Sequence, residues 1–327
     1  MKYITFAIPA YNSEDYLNRC VNSLIPFIND AEIVIINDGS TDRTIKIAES
    51  YKDQYPNDIV VIDKKNGGHG SGVNAGLKIA KGLYYKVIDS DDWVDKAHME
   101  CLIEQIKLHT NSDNNPDLYI ADFKYNHVED QTSFIRTYKK NFPVETVFNW
   151  DDKITKFRYS KTLLMHALFF KTKLLKQSEV ELPHHLYYVD NIFVYIPLAH
   201  VKNMYYIDKP IYQYFIGRND QSITQENISK NYGQQIQVMK HIIRVYKYQE
   251  IIMMSNHLKQ YMKHHLSTMM MITQMFTVSK VEKSRKSALK ELWLFIKKHD
   301  KSMYKFLRYR SFNILVNYMP FRMKSYV

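Results

Sequence analysis

The N-terminal third of the chain alternates short apolar runs with amphipathic stretches. Runs of strand length, each bounded by polar or turn residues, lie at residues 3–8, 32–36, 59–62 and 84–88. Between the first two runs, apolar side chains from Asp15 to Ile25 recur at helical spacing, and Ser13 stands where a helix cap would. Strands that alternate with helices are typical of α/β proteins. The pattern therefore predicts an α/β fold with a mostly parallel central sheet.

The pattern changes along the rest of the chain. Residues 118–125, 133–138 and 204–207 have the composition of strands, whereas the chain after about residue 229 has helical periodicity, as in residues 234–248 and 257–276. We therefore expect an α/β domain over residues 1–225, followed by a smaller helical region over residues 226–327.

Polar segments follow four of the predicted strands. They occupy residues 9–12, 37–40, 66–72 and 89–92. Each lies at the carboxyl end of its strand, and this edge is where open α/β sheets bind their ligands. The four segments together predict a site for a nucleotide-type ligand.

Asp89, Asp91 and Asp92 form a dense group of negative charge directly after the fourth strand. Carboxylates this close repel one another unless a cation or hydrogen-bond donors compensate. Hard divalent ions take oxygen ligands, and Mg²⁺ commonly combines one or two carboxylates with diphosphate oxygens. The group therefore predicts a metal site. The alternative, an acidic cap at the positive end of a helix, stays open.

The other polar segments offer groups for a nucleotide. Tyr11 has a flat face for a base, and Asp38 can accept a hydrogen bond from a base or a ribose. The glycines of residues 66–72 would let backbone N–H groups approach a phosphate. This segment has neither the Gly-Lys-Ser/Thr ending of a P-loop nor the Gly-x-Gly-x-x-Gly spacing of dinucleotide sites. For residues 37–40, a simple turn into a capped helix remains the alternative.

Together, the four segments resemble glycosyltransferase family 2. The segments that carry the resemblance are Ile8-Pro9-Ala10-Tyr11-Asn12, Asn37-Asp38-Gly39-Ser40-Thr41-Asp42, Asn66-Gly67-Gly68-His69-Gly70 and Asp89-Ser90-Asp91-Asp92. The resemblance implies the Rossmann-like GT-A fold, in which residues 1–125 bind a nucleotide sugar and residues 126–225 form the acceptor side. It also implies transfer of a single sugar from a nucleotide diphosphate carrier, usually uridine diphosphate, to a hydroxyl acceptor.

The resemblance further implies roles for individual residues. Asp91 would ligate Mn²⁺ or Mg²⁺, with Asp92 as its supporting neighbour. Contacts with the nucleotide sugar would come from Pro9, Tyr11, Asp38, Asn66, Gly67 and Asp89. His69 and His166 also lie near the family's segments, and we interpret both as structural histidines.

The family's catalytic base is usually the aspartate of a Glu-Asp pair that follows an aromatic-rich segment. Residues 186–191 resemble that segment, except that Val189 stands in place of the glutamate. The resemblance thus implies that Asp190 is the general base of an inverting transfer, and a helix N-cap is the alternative. Arg218 lies in a segment, residues 212–223, that resembles a loop closing over the donor. It could pair with the diphosphate in a forked arrangement or remain a solvated arginine.

Two other classes of protein remain open. A sugar-phosphate nucleotidyltransferase has a related α/β fold, but the chain lacks the glycine-rich, arginine-containing N-terminal loop of that class. A binding protein without catalysis is the other, and the intact acidic group and Asp190 argue against it.

Charge suggests the kind of partner. The 327 residues carry a net charge of +11, and the C-terminal third is basic. This balance favours an anionic partner such as a phosphate-rich polymer or a membrane lipid. No zinc-finger or RNA-recognition signature is present, so we expect no nucleic acid. For the acceptor we expect a glycan, a lipid-linked molecule or a phosphate-rich polymer.

The sequence also bears on location. It has no apolar run near the roughly 20 residues of a membrane span and no signal-peptide pattern. Cys20 and Cys101 fit no disulfide framework. We therefore expect a cytoplasmic protein. Residues 304–327 mix apolar and basic side chains, and three interpretations stay open: peripheral contact with the inner face of the cell membrane, a docked helix, or a homo-oligomer contact.

Overall fold

The computed structural model describes residues 1–127, 131–152, 154–158, 161–217, 225–278 and 282–310. Its first part is a regular alternation of strands and helices. The elements are β1 (Ile4–Ala10), α1 (Leu17–Leu24), β2 (Ala31–Asn37), α2 (Thr44–Gln54), β3 (Ile59–Asp63), α3 (His69–Ile79) and β4 (Tyr84–Val87). Every residue of β1, β2 and β4 is buried, as expected for strands of a parallel sheet covered on both faces.

The middle of the chain is more irregular. Its elements are β5 (Trp93–Val94), α4 (Lys96–Asn111), β6 (Leu118–His127), β7 (Thr132–Arg136), β8 (Val147–Asn149), β9 (Leu168–Lys171), α5 (Thr172–Gln177), α6 (Asp190–Leu198) and β10 (Asn203–Ile216). β10 is much longer than the predicted strand over residues 204–207, and its pairing shifts register on either side of Pro210. The short strand β9 was not predicted.

All of these strands belong to one sheet with the order β3-β2-β1-β4-β9-β6-β10-β5, while β7 pairs with β6 and β8 with β10. β1 to β4 pair in parallel, and so do β6 and β10. β9 lies between these two groups and is antiparallel to both β4 and β6. The sheet is mostly parallel, and the predicted fold class is confirmed.

The chain forms two compact units, residues 1–155 with 163–217, and residues 156–162 with 218–327. The change falls at residue 217 rather than at the predicted 225, and a short earlier segment groups with the helices. The helices of the second unit are α7 (Gln225–Lys230), α8 (Tyr232–Val245), α9 (Tyr248–Met253), α10 (Asn256–Val278), α11 (Lys283–His299) and α12 (Lys301–Arg308).

Helices α8, α10 and α11 pack against one another and form the core of the second unit. Ile242, Met270, Leu292 and Ile296 are fully buried there. No helix in the described parts of the chain is long and apolar enough to cross a membrane.

Candidate active site

An acidic turn, residues 89–92, follows β4 at the carboxyl edge of the sheet, and α1 holds it in place. Arg19 donates to the carbonyl oxygen of Asp91 at 2.6 Å, and its guanidinium lies 4.2 Å from the ring centre of Trp93. The hydroxyls of Ser13 and Ser90 are 2.7 Å apart. Ser13 was predicted to cap α1, but the residue at the N-cap position is Tyr16, which makes no side-chain capping hydrogen bond. The Ser13 side chain contacts the acidic turn instead.

Asp92 connects this turn to β10. Its side chain is fully buried and accepts hydrogen bonds from the Phe215 backbone N–H at 2.7 Å and from the Tyr212 hydroxyl. Burial raises the pKa of Asp92, and the charges of Asp91 and Asp89 raise it further. A buried carboxyl with both oxygens bonded is suited to fixing the geometry of the turn.

Asp89 pairs with His69, the first residue of α3. His69 Nε2 lies 2.8 Å from Asp89 Oδ1. Burial disfavours ionisation of both groups, but their mutual attraction outweighs it. The pKa of His69 is therefore raised, and that of Asp89 is lowered to about 2. Sequence interpretation treated His69 as structural and missed this pair, because only the fold brings α3 to the end of β4.

Asp89, Asp92 and His166 could hold a metal ion. Each offers one ligand atom, and these atoms all lie within 4.8 Å of one another. Burial lowers the pKa of His166 to about 4, so its ring is neutral at physiological pH and has a lone pair to donate. Carboxylate oxygens with one imidazole suit a divalent ion such as Mn²⁺. Asp91, the predicted ligand, is on the same turn but is not a member of this group.

A buried lysine lies beneath the acidic turn. Lys86 in β4 is fully buried, and its ammonium donates to the backbone carbonyls of Met165, at 3.2 Å, and His166. It also lies 4.7 Å from the ring centre of Tyr212. Burial lowers the pKa of Lys86 to about 7, opposed by the charge of Asp89. Lys86 thus fastens the segment that carries His166 to the strand that leads to Asp89.

The carboxylate of Asp38, a predicted nucleotide contact, is fully engaged within the protein. It accepts from Lys64 Nζ at 2.5 Å and from the backbone N–H groups of Gly67 and Gly68 at 2.9 Å and 2.7 Å. Asn66 donates its side-chain amide to the Asp38 carbonyl at 2.8 Å. Two N–H groups of the segment that was expected to approach a phosphate, those of Gly67 and Gly68, therefore bind Asp38 in this structure. Contacts of Asp38, Asn66 and Gly67 with a donor stay predictions.

The glycines of this segment also allow a close approach by the chain before α6. His185 donates its backbone N–H to the Gly67 carbonyl at 2.7 Å. Gly68 has a φ of +82°, and a side chain there would lie 3.1 Å from the His185 backbone. A side chain at Gly70 would lie 2.8 Å from Leu182. The glycine content is therefore required for packing, whatever ligand the segment meets.

Asp190, the predicted base, is the first residue of α6. Val189 occupies the N-cap position, so Asp190 is not the helix cap. Burial raises the pKa of Asp190 to about 6, and the nearby charge of Asp89 adds to this effect, whereas that of His69 opposes it. The fold thus brings Asp190 into the electrostatic neighbourhood of the acidic turn, although about a hundred residues separate them in the sequence.

The remaining predicted residues differ in position. Pro9 is buried in β1 and packs against Gly72. Tyr11 is 52% exposed at the end of the same strand, where its ring is accessible to a ligand. Arg218 lies outside the described residues.

Comparison with known proteins defines the class. The sequence profile described as "Glycosyl transferase family 2" matches residues 5–172, half of the chain. The chain therefore belongs to glycosyltransferase family 2.

Individual relatives are similar in sequence to parts of the chain. A poly(ribitol-phosphate) beta-glucosyltransferase of Bacillus spizizenii is 32% identical over 188 residues, which is 56% of this chain and 27% of that protein. A chondroitin synthase of Pasteurella multocida is 36% identical over 132 residues, 38% of this chain and 14% of that protein. The chain matches less than two thirds of the length of either relative.

A solved structure shares the fold. The crystal structure of S. aureus TarS 1-349 in complex with UDP-GlcNAc superposes with a TM-score of 0.72 at 20% identity. The match covers 99% of this chain and 88% of that one. This likeness confirms the GT-A arrangement predicted for the chain.

Proposed function

We propose that the chain is an inverting transferase that moves one sugar from a nucleoside diphosphate donor to a hydroxyl of a polymer acceptor. Asp190 acts as the general base. Pro9, Tyr11, Asp38, Asn66, Gly67, Asp89 and Arg218 contact the donor. The observation that carries the proposal is the placement of Asp190 beside His69 and Asp89, with its pKa raised to about 6. A carboxylate with that pKa is ionised at neutral pH and basic enough to accept a proton.

The step balances as a single displacement. Asp190 takes the proton of the acceptor hydroxyl, and the hydroxyl oxygen forms a bond to the anomeric carbon. The bond from that carbon to the diphosphate oxygen breaks, and the nucleoside diphosphate leaves with the electron pair. Because the attack comes from the side opposite the leaving group, the configuration at the anomeric carbon inverts.

We further propose that Asp91 holds Mn²⁺ or Mg²⁺, with Asp89 and His166 as neighbouring donor groups. When bound, such an ion supplies positive charge to the diphosphate oxygens of the leaving group. The ligand atoms of Asp89, Asp92 and His166, within 4.8 Å of one another, support an ion at this position. Asp92 keeps its hydrogen bonds to β10 and positions the turn.

The comparisons suggest donor and acceptor classes. TarS binds UDP-GlcNAc, so we propose a uridine diphosphate sugar as donor. The relatives are named for poly(ribitol phosphate) and for chondroitin, so we propose an acceptor in cell-wall polymer or polysaccharide synthesis.

Release of nucleoside diphosphate from a panel of nucleotide sugars tests the reaction type. We expect release of uridine diphosphate that needs a divalent ion and stops in excess chelator. A nucleotidyltransferase would instead consume pyrophosphate and release a nucleoside triphosphate and a sugar 1-phosphate, and a binding protein would release nothing. The anomeric configuration of the product, measured by NMR, would contradict the proposal if it were retained.

Asp91→Asn tests the metal role. We expect turnover to fall about a hundredfold, because the change removes a charged ligand. Asp113→Asn, at an exposed position away from the site, is the matched control and should be fully active. Thermal unfolding of Asp91→Asn should match that of the wild type. Full turnover by Asp91→Asn would contradict the role of Asp91.

A further inference from the structure

Three aromatic side chains form a row across neighbouring strands of the sheet. Tyr125 of β6 is paired with Phe134 of β7 on one side and with Tyr214 of β10 on the other. Side chains at paired positions point to the same face of a sheet. We call Phe134, Tyr125 and Tyr214 the aromatic row.

The rings of the row contact one another and continue into the candidate active site. The ring centres of Phe134 and Tyr125 are 4.3 Å apart and nearly parallel, and those of Tyr125 and Tyr214 are 5.4 Å apart. Tyr214 stacks on His166 at 4.6 Å, and His166 belongs to the group with Asp89 and Asp92. An unbroken aromatic path therefore leads from the acidic turn to the edge of the sheet.

Exposure increases along this path. Tyr214 and Tyr125 are half-buried, whereas Phe134, on a strand at the edge of the sheet, is 52% exposed. A single exposed apolar residue is ordinary. This one, however, is the outer end of a continuous row of rings that begins at the site.

The row passes on the side of Asp190. The pKa of Tyr125 is raised chiefly by burial, and the charge of Asp190 adds to it, as it also does for Tyr188. These electrostatic contributions place Tyr125 near the residue that we propose activates the acceptor hydroxyl. The row is therefore on the acceptor side of the site.

We propose that the aromatic row is an acceptor subsite, in which the exposed ring of Phe134, backed by Tyr125, stacks on a pyranose ring of the acceptor glycan. This inference rests on the proposed function and narrows its acceptor class. The C–H face of a pyranose is flat and apolar and covers an aromatic ring well, whereas its hydroxyls stay in water at the edge. An open-chain polyol phosphate has no such face, so the row favours an acceptor built from sugar rings.

Direct binding tests the subsite without any turnover. The probes are oligosaccharides of glucose, galactose and N-acetylglucosamine, with a ribitol phosphate oligomer in parallel, titrated against the protein saturated with uridine diphosphate. We expect the wild type to bind at least one of the pyranose probes. Phe134→Ala should weaken that binding about tenfold, and Phe134→Trp should restore it, because an aromatic face is retained.

Ile135→Ala is the matched control. Ile135 is the next residue of β7, points to the opposite face, and is 51% exposed. Its loss should leave pyranose binding within about twofold, and Ile135→Ala should hydrolyse the donor without acceptor at the wild-type rate. Failure of donor hydrolysis in the wild type would instead contradict the proposed function, independently of the row.

Three outcomes would overturn the subsite. In the first, the wild type would bind none of the probes. In the second, it would bind only the ribitol phosphate oligomer. Alternatively, Phe134→Ala and Ile135→Ala weaken pyranose binding equally, which would mean that the β6–β7 hairpin acts only as a structural support.

Discussion

Cations lie over aromatic rings in both units of the chain, but among the described residues only the α/β unit also brings a group of acidic and histidine side chains together. In the α/β unit, Asp89 and Asp92 are brought together, and the negative charge of Asp89 contributes to the raised pKa of Asp92. In the helical unit, cations lie over aromatic rings. Arg285 is 4.3 Å from the ring centre of Tyr232, Lys263 is 5.1 Å from that of Phe306, and Arg308 is 5.2 Å from that of Trp293.

The acidic group of the α/β unit is a feature of function, whereas the cation–aromatic contacts of the helical unit contribute to stability. Crowded like charges cost folding free energy and persist where a ligand or a reaction uses them. Cations over rings stabilise the fold modestly, by about 0.5–1 kcal/mol at exposed sites. Some of the basic residues that suggested an anionic partner are therefore already engaged inside the helical unit. Arg285 is the clearest case, because it is buried.

Replacing Asp190, the proposed base, should produce the largest effect of the changes considered. That effect should be confined to the α/β unit. Asp190→Asn should lower the rate of transfer about a thousandfold, within the range that a general base contributes. Donor affinity should stay within a few-fold, because the base acts on the acceptor. Steady-state kinetics and calorimetric titration of uridine diphosphate measure the two quantities. If donor affinity collapsed in parallel with the rate, Asp190 would belong to the donor site.

A substitution of Arg285 should lower the stability of the helical unit and leave the rate of transfer unchanged. The Arg285 guanidinium donates to the carbonyls of Ser229, at 2.7 Å, and Phe276, at 3.2 Å. Arg285→Met removes these hydrogen bonds at a buried position and should lower the free energy of unfolding by about 2 kcal/mol. Lys286→Met, at the exposed neighbouring position, should have almost no effect.

Denaturant unfolding of both variants measures this difference, and turnover per folded molecule should remain that of the wild type. Equal stability of the Arg285 and Lys286 variants would show that the buried guanidinium makes no net contribution.

Acidity should slow the reaction through Asp190. Asp190 must be ionised to accept a proton, and burial raises its pKa to about 6. The value of kcat/KM should therefore be constant above about pH 7 and fall tenfold per pH unit below about pH 6. A profile that stays flat to pH 5 would mean that Asp190 is not the base. The stability of the helical unit should also fall as the pH drops below about 6.5, because burial lowers the pKa of His265 to about 3 and the unfolded chain takes up a proton that the folded unit does not.

The smallest effect concerns membrane contact. Neutralising Arg308, Arg310, Arg322 and Lys324 together should weaken sedimentation with anionic vesicles at low salt, because each surface cation contributes on the order of 1 kcal/mol near such a membrane. Arg308 and Arg310 already lie over the rings of Trp293 and Phe306, so we expect a reduction of only a few-fold.

Arg322 and Lys324 lie outside the described residues. Donor hydrolysis by the variant with all four cations neutralised should not change. A change of oligomer mass in light scattering, with vesicle binding unaltered, would support self-association instead.

The sequence predicted those parts of the fold whose signal is local. The continuous apolar runs of β1 and β2 identify buried parallel strands without further information. β9 was missed because Leu168–Lys171 is only four residues long, and its position between β4 and β6 depends on pairing that no local pattern encodes.

The residues of the candidate site likewise fall into those that the sequence identifies and those that only the fold reveals. Asp91 and Asp190 were named from spacing and family resemblance. The His69–Asp89 pair, and the contact of Lys86 with the segment that carries His166, required the fold. The glycines at 67, 68 and 70 were assigned to a phosphate because glycine content alone cannot distinguish room for a ligand from room for another segment of the same chain.

The packing of those glycines limits how such an enzyme can be recombined. Gly70 faces Leu182, and the Asn74 side chain bonds both the N–H and the carbonyl of Leu182, at 3.0 Å and 2.8 Å. A graft that replaced residues 182–190 alone would put foreign side chains against a surface with no space for them. In a chimaera, residues 66–74 and 182–190 should therefore be exchanged as one block. Phe134 and Ile135 of β7 are each about half exposed, so the proposed acceptor preference can be varied at these two positions without rebuilding the interior.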